Sequence, residues 1–448
     1  MKVITLIVVL IIPLIVIIGY VNIHIINFWR TSNHTPVNIS SLLNRGVQIV
    51  STTALNVPSN KLNVDKKRRS AVAPYKRNKI AKDTRQNRST APTNVIRKIE
   101  GSPRFPNIHD VVLELDSTKY FCNDSESAEC ATLTSILGES IQKELTRVLT
   151  YDSNVFRSGV AKVNTYHVRF NGSYGQLRSR DEVVCALGRV RVRTVTGQEA
   201  PLAQHGLAAP PEPLQRGRRY SKCAVVSSAG ALLGSRLGSF IDSHDMVVRF
   251  NNAPTENYTE DVGSKTTFRI VNSQVVAKTE YNFLEDPLYC NTSILIWDPA
   301  NYSSNLDDWY RAPDYPLFLV YKRFLELNPD ADVHILNPQV LWELWTLLQR
   351  AAPRRIRKNP PSSGFIGIWF AVHRCANVRV FEYVPSSRAT TRCHYYSAHK
   401  DRHCTLGSWH PLAQEKILAN LMRNNSDFDT YQRGFINIPG VEAIDCPD

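Results

Sequence analysis

Residues 223–230 read Cys223-Ala224-Val225-Val226-Ser227-Ser228-Ala229-Gly230. A short apolar, β-branched run breaks there into small residues, the form of a strand that ends in a tight turn. Two neighbouring runs end in a similar way. Met246-Val247-Val248-Arg249-Phe250 stops at Asn251, and the run 266–271 stops at Asn272. Further out, Ile294-Leu295-Ile296-Trp297, Val333-His334-Ile335-Leu336 and the run 378–383 also read as strands. Helical spacing occupies 237–241 and 340–348, and 132–149 puts Leu133, Ile136, Leu137, Ile141, Leu145 and Val148 on one side. Strands alternating with helices predict an α/β fold, with a largely parallel central sheet flanked by helices. The stretch 195–219 is loop-like, rich in Ala, Pro, Gln and Arg, and no internal repeat is present.

Open α/β sheets bind ligands beyond the carboxyl ends of their strands. Ser228, Asn251 and Asn272 would then converge on one polar ligand. The turn 227–230 reads as the entry to a helix, whose amino terminus favours a phosphate. Asn also terminates strands for turn reasons alone. A second small-residue turn, Pro360-Pro361-Ser362-Ser363-Gly364, precedes the apolar stretch 365–372. The prolines stiffen its entry and Gly364 permits close backbone approach. A nucleotide phosphate or ribose suits that turn, and so does a plain Ser-capped helix. His394, in Cys393-His394-Tyr395-Tyr396, and His410, which opens His410-Pro411-Leu412-Ala413-Gln414-Glu415, are candidate general bases. With 12 histidines in the chain, spacing alone does not separate them from structural ones.

The chain has 448 residues, and 3–21 carries no charge. About 20 residues at helical rise cross a bilayer core. The run exceeds the core of a cleaved signal peptide, and 22–29 offers no small-residue cleavage site. The expected organisation is a tail at 1–2, a transmembrane signal anchor at 3–28, a flexible stem at 29–107 and a catalytic domain at 108–448. Asn-X-Ser/Thr sequons at Asn33, Asn38, Asn87, Asn123, Asn171, Asn257, Asn291, Asn301 and Asn424 point to a lumenal body carrying N-glycans. All nine cysteines follow residue 121, as an oxidising compartment would allow, and nine is odd. The net charge of +14 is concentrated between Lys61 and Arg104, where 14 basic residues face Asp65, Asp83 and Glu100. Lys66-Lys67-Arg68-Arg69 looks like a nuclear signal, but an anchored glycoprotein would not present it, so no nucleic-acid partner is expected. The segment reads as a solvated stem that lacks the apolar surface to fold.

The order Cys223 to Asn272, Pro361 to Tyr383, His394-Tyr395-Tyr396-Ser397 and His410 to Glu415 resembles the large, small, third and very small sialylmotifs of animal sialyltransferases, over roughly residues 180–446. Details such as Asp261-Val262-Gly263-Ser264-Lys265-Thr266-Thr267, Trp342-Glu343-Leu344-Trp345 and His410-Pro411-Leu412 look like the β-galactoside α-2,6 branch. The resemblance implies a GT-A-like variant fold and an inverting transfer of sialic acid from CMP-sialic acid to the 6-hydroxyl of a terminal galactose or N-acetylgalactosamine on glycoprotein N-glycans. An α-2,3 or polysialyl linkage, or an inactive glycan-binding protein on the same fold, are the rivals. His410 is implied as the base. His394, Ser362, Ser363 and Gly364 are implied at the leaving phosphate, and Ser228, Asn251 and Asn272 at the nucleotide and sugar. Thr405, Trp409 and Lys416 match donor- or acceptor-side positions. The implied disulfides are Cys223–Cys375, Cys393–Cys404 and Cys185–Cys446. Cys122, Cys130 and Cys290 depart from the family pattern: Cys122 with Cys130 is a possible bridge, which would leave Cys290 free. Residues 195–219 also depart from it. No metal cofactor is implied, and Asp330-Ala331-Asp332, outside the motifs, reads as a loop. The implied location is the Golgi membrane, as a single-pass type II protein.

Overall fold

Seven short strands form one sheet: β1 (Tyr220–Val226), β2 (Met246–Phe250), β3 (Phe268–Asn272), β4 (Ser293–Trp297), β5 (Val333–Ile335), β6 (Cys375–Phe381) and β7 (Phe435–Pro439). The computed structural model describes residues 116–157, 164–196, 203–207, 214–401, 403–407 and 409–447. Strand order is β5-β4-β3-β2-β1-β6-β7. All neighbours are parallel except β6 and β7. Every residue of β2 is buried, as expected of a parallel sheet covered on both faces. The chain lays down β1 to β5 outward in one direction, then returns to put β6 on the other side of β1. Val226 lies opposite Phe381 in that pair. The border of β1 and β6 is therefore the point where strand order reverses, and their carboxyl ends open a crevice there.

The helices follow from apolar spacing. In α1 (Ala128–Arg157) the buried stripe is Cys130, Thr134, Leu137, Ile141, Leu145 and Val148. Ile136, expected in that stripe, is 42% exposed. It sits one residue, about 100°, away from Leu137 and faces outward. Leu133, also expected in the stripe, is half-buried. The other principal helices are α2 (Arg180–Arg189), α3 (Ser273–Ala277), α4 (Leu306–Arg311), α5 (Phe318–Leu327), α6 (Gln339–Ala351), α7 (Ser363–Arg374) and α8 (Leu412–Met422). From Phe365 to Val372 α7 is buried on all sides, and it packs on β1, β2, β3 and β6, with Phe370 stacked on Phe268 at 4.3 Å. Each such side chain contributes about 1.5–3 kcal/mol on burial. The loop-like stretch near 195–219 is tied down in part: Val195 N donates to Ile335 O at 2.8 Å, and Val195 and Leu207 are buried against β4 and β5.

Four disulfides close the domain: Cys122–Cys130, Cys185–Cys446, Cys223–Cys375 and Cys393–Cys404, with Cys290 free. These include the three pairings that the resemblance implied and the open Cys122–Cys130 alternative. The expected anchor at 3–28, the whole of the expected stem at 29–107 and the sequons at Asn33, Asn38 and Asn87 lie outside the described residues. Among the described residues no helix is long and apolar enough to cross a membrane.

Candidate active site

The crevice at the ends of β1 and β6 is a cavity of about 240 Å³, and residues from all four sequence motifs line it. Ser227 and Ser228 follow β1, Asn251 follows β2, Ser362, Ser363 and Gly364 open α7, and His394, Thr405, His410 and Lys416 close the wall. One expectation needs correction. The turn after β1 leads into a single 3₁₀ turn, Gly230–Leu232, and no α-helix starts there. Two of its N–H groups are bonded locally: Ala229 N donates to Ser227 Oγ at 3.2 Å, and Leu232 N donates to Ala229 O at 3.1 Å. A crossing segment is the reason. Ala229 and His394 form an antiparallel bridge, and Tyr395 N donates to Ser228 O. A Cβ on Gly230 would lie 2.3 Å from Arg392 O, so only glycine lets the two segments cross. The turn positions the His394 segment, and the helix amino terminus in this cavity belongs to α7.

The two strand-end asparagines separate. Asn251 adopts a left-handed conformation (φ 48°), lines the cavity, and has its carbonyl held by Arg269 Nη1 at 2.8 Å. Its Oδ1 accepts from Asn272 N at 3.1 Å. Asn272 instead caps α3, its Oδ1 accepting from Val275 N at 3.0 Å, and it is not on the cavity wall. The capping bond is the local role that the turn reading of the sequence allows for.

Ser362 is the N-cap of α7 and its Oγ accepts from Phe365 N at 3.2 Å. The same hydroxyl donates to Glu415 Oε2 at 2.6 Å, and Ser362 N donates to Glu415 Oε1 at 2.9 Å. Tyr383 OH donates to Glu415 Oε2 at 2.6 Å. Glu415 is fully buried, so this carboxylate binds α8 to the start of α7 and the end of β6. Sequence reasoning quoted Glu415 within its motif and gave it no role. The available signal was a carboxylate set among Leu412, Ala413, Ile417 and Leu418. With the Ser362 hydroxyl occupied, the remaining donors are the backbone N–H groups of Ser363 and Gly364, which the first helical turn leaves without intrahelical partners. Their position at a 12-residue helix amino terminus favours an anion. A Cβ at Gly364 would meet the Tyr383 ring at 2.6 Å. Trp297 Nε1 donates to Ser363 Oγ at 3.0 Å.

His410 has Nδ1 2.8 Å from Pro360 O. A carbonyl only accepts, so Nδ1 carries the proton and Nε2 keeps its lone pair. Burial pushes the imidazole pKa down, opposed by the Glu415 carboxylate and the Pro360 carbonyl. His394 is exposed, its ring stacked 5.1 Å from Tyr396, and the surrounding protein atoms, with His399, lower its pKa. Lys416 Nζ donates to Tyr383 O. Burial brings its pKa down to about 8, against the upward pull of Glu415 and Glu382. Trp409 is not on the cavity wall. It is 38% exposed, 4.4 Å from the His410 ring and edge-on to Tyr166 at 6.2 Å.

Tyr166 marks a second, polar cavity of about 490 Å³, with Asn301, Trp309 and Asp314 on its wall. Tyr166 OH donates to Asp314 Oδ1 at 3.2 Å. Behind it, buried Asp298 accepts from Trp309 Nε1 at 2.8 Å and Asp314 N at 3.1 Å, and burial raises its pKa to about 6. Sequence reasoning missed this cluster, whose members are scattered from 166 to 314. Asp330, Ala331 and Asp332 precede β5, at the end of the strand opposite the cavity, and Asp332 pairs with His334 at 2.9 Å. Among the described residues no group of three His, Cys, Asp or Glu side chains is arranged to hold a metal ion.

The glycosyltransferase family 29 (sialyltransferase) profile matches residues 191–426. The chain is 47% identical over 291 residues to beta-galactoside alpha-2,6-sialyltransferase 2 of Bos taurus, covering 64% of this chain and 59% of that protein. It is 44% identical over 289 residues to the Homo sapiens protein of the same name, covering 63% of this chain and 55% of that one. The chain thus spans less than two thirds of the length of these relatives. A solved mammalian sialyltransferase in complex with Gal-beta-1-3GalNAc-ortho-nitrophenol aligns with 55% of this chain and 78% of its own at 23% identity and a TM-score of 0.32. The profile covers more than half of the sequence and spans the cavity residues from Ser227 to Lys416, and on that match the chain belongs to glycosyltransferase family 29, the sialyltransferases.

Proposed function

We propose that this chain transfers sialic acid from CMP-sialic acid to the 6-hydroxyl of a terminal galactose, or N-acetylgalactosamine, on glycoprotein N-glycans, with inversion and without a metal cofactor. The observation that carries this reading is one cavity holding both a helix amino terminus suited to an anion and an imidazole whose Nε2 is free to accept a proton. The acceptor hydroxyl gives its proton to His410 Nε2. Its oxygen forms the new bond to the anomeric carbon, and the bond from that carbon to the CMP phosphate breaks, its electron pair leaving on the phosphate oxygen. Ser363 and Gly364 N–H groups, His394 and Lys416 would meet that growing charge. Ser228, Asn251 and Thr405 would hold the nucleotide and sugar. The acceptor approaches from the side of Trp409 and Tyr166.

This reading keeps a GT-A-like variant fold for the domain and a single-pass type II orientation in the Golgi membrane, with anchor 3–28, stem 29–107 and N-glycans on the lumenal body. The relatives' names support the linkage, and the nine sequons and four disulfides support a lumenal setting. The test uses the full chain in detergent with CMP-sialic acid and a galactose-terminated acceptor. Release of CMP coupled one to one with sialylated product is expected, and its loss in His410→Ala. Hydrolysis without transfer, or equal transfer by His410→Ala, contradicts the proposal.

A further inference from the structure

We propose that Asn301 carries an N-linked glycan that stands at the acceptor side of the active site and limits how bulky an acceptor can reach His410. The inference rests on the proposed lumenal sialyltransferase reading and goes beyond it. Asn301 begins the sequon Asn301-Tyr302-Ser303, and both Asn301 and Ser303 are exposed. It follows β4 at the carboxyl edge of the sheet, the edge on which the donor cavity opens. It forms part of the wall of the second cavity, together with Tyr166 and Asp314. Tyr166 is edge-on to Trp409, which in turn lies against His410. An acceptor that reaches His410 from this side passes the root of the glycan.

The root is held in place. Trp342 Nε1 donates to Ala300 O at 2.9 Å, Tyr302 N to Tyr166 O at 2.8 Å, Ser304 N to Asn301 O at 3.0 Å and Gln339 Nε2 to Ser304 O at 2.8 Å. A loop tied on both sides of its asparagine fixes the root of the glycan beside the cavity, so the volume that the sugar sweeps is centred on this wall. Attachment forms a bond from Asn301 Nδ2 to the anomeric carbon of a lipid-pyrophosphate-linked oligosaccharide. Nδ2 loses a proton, and the lipid pyrophosphate leaves with the electron pair. A disaccharide passes such a barrier and a folded glycoprotein acceptor is obstructed by it, which is discrimination by steric exclusion.

The experiment takes the full chain from secretory-pathway cells, maps the glycopeptide containing Asn301, and compares it with Asn301→Gln, Ser303→Ala and the sequon-preserving Ser303→Thr. The glycan should be present in the parent and in Ser303→Thr, and absent from the other two. Loss of the glycan should raise kcat/KM for a galactose-terminated glycoprotein by roughly threefold or more relative to N-acetyllactosamine, specificity being a ratio of kcat/KM values. Glycosidase trimming of the folded parent should give the same change without substitution. Equilibrium binding of both acceptors to the CMP-bound protein reads the same discrimination without turnover, so a failure of the transferase reading leaves this inference decidable. An unglycosylated Asn301, or an equal change for small and large acceptors, overturns it.

Discussion

His410 and His394 differ in what holds their rings, and that difference separates their roles. The Pro360 carbonyl fixes the tautomer of His410 and leaves Nε2 as the only site for a proton. His410→Ala should lower kcat by about 10²–10⁴-fold with little change in CMP affinity, while His394→Ala should weaken CMP binding as well. Calorimetry with CMP on both variants checks this, and the opposite pattern exchanges the roles. Burial lowers the His410 pKa, so its neutral form persists below the ordinary imidazole value of about 6.5. The acid limb of kcat/KM should therefore lie below that value. The folded state binds fewer protons than the unfolded chain between the two pKa values, so this group's contribution to stability is complete above about 6.5 and is lost as pH falls through the folded pKa. Because the Glu415 charge opposes the shift, Glu415→Gln should move the acid limb to still lower pH. A limb that stays in place, or moves up, removes Glu415 from the electrostatics of the base. Both histidines were legible through their motifs. The role of Glu415 was not, because its partners Ser362 and Tyr383 lie 53 and 32 residues away and only the fold brings them to it.

The strands were legible because a parallel sheet buried on both faces selects near-continuous apolar runs, such as Ile294 to Trp297 and Met246 to Phe250, the latter interrupted only by Arg249. The helix expected after Gly230 was misread because small residues serve equally a helix entry and a close backbone crossing. The crossing partner, Arg392, lies far along the chain. Asn272 kept two readings open for a similar reason, since a cap and a ligand contact use the same side chain, and its Oδ1 caps α3. At this scale the Cys223–Cys375 bond joins β1 to β6 at the strand border that opens the cavity. Cys223→Ala or Cys375→Ala should cost about 2–5 kcal/mol of stability. Denaturant unfolding of variant and parent measures it, and an unchanged midpoint shows that the packing of α7 against β1 and β6 suffices to hold the border.

Across the whole molecule, the concentration of basic charge between Lys61 and Arg104 leaves the rest of the chain with only a small net charge. The proposed anchor and stem accordingly leave 108–448 to carry the chemistry. Activity of the full chain in detergent should survive excess EDTA, since the α7 amino terminus, His394 and Lys416 are proposed to meet the leaving phosphate. Loss of activity restored by manganese would place a metal in the mechanism. The proposed acceptor linkage would depend on how a sugar beside Trp409 and Tyr166 is presented to His410 Nε2, a relation between segments that no local stretch of sequence contains. The central claim is tested most directly by incubating the full chain with CMP-sialic acid and an N-glycan ending in Galβ1-4GlcNAc, then determining the product linkage by nuclear magnetic resonance. Sialic acid α-linked to the galactose 6-hydroxyl is the predicted result, and attachment at the 3-hydroxyl, or no attachment, would contradict the account.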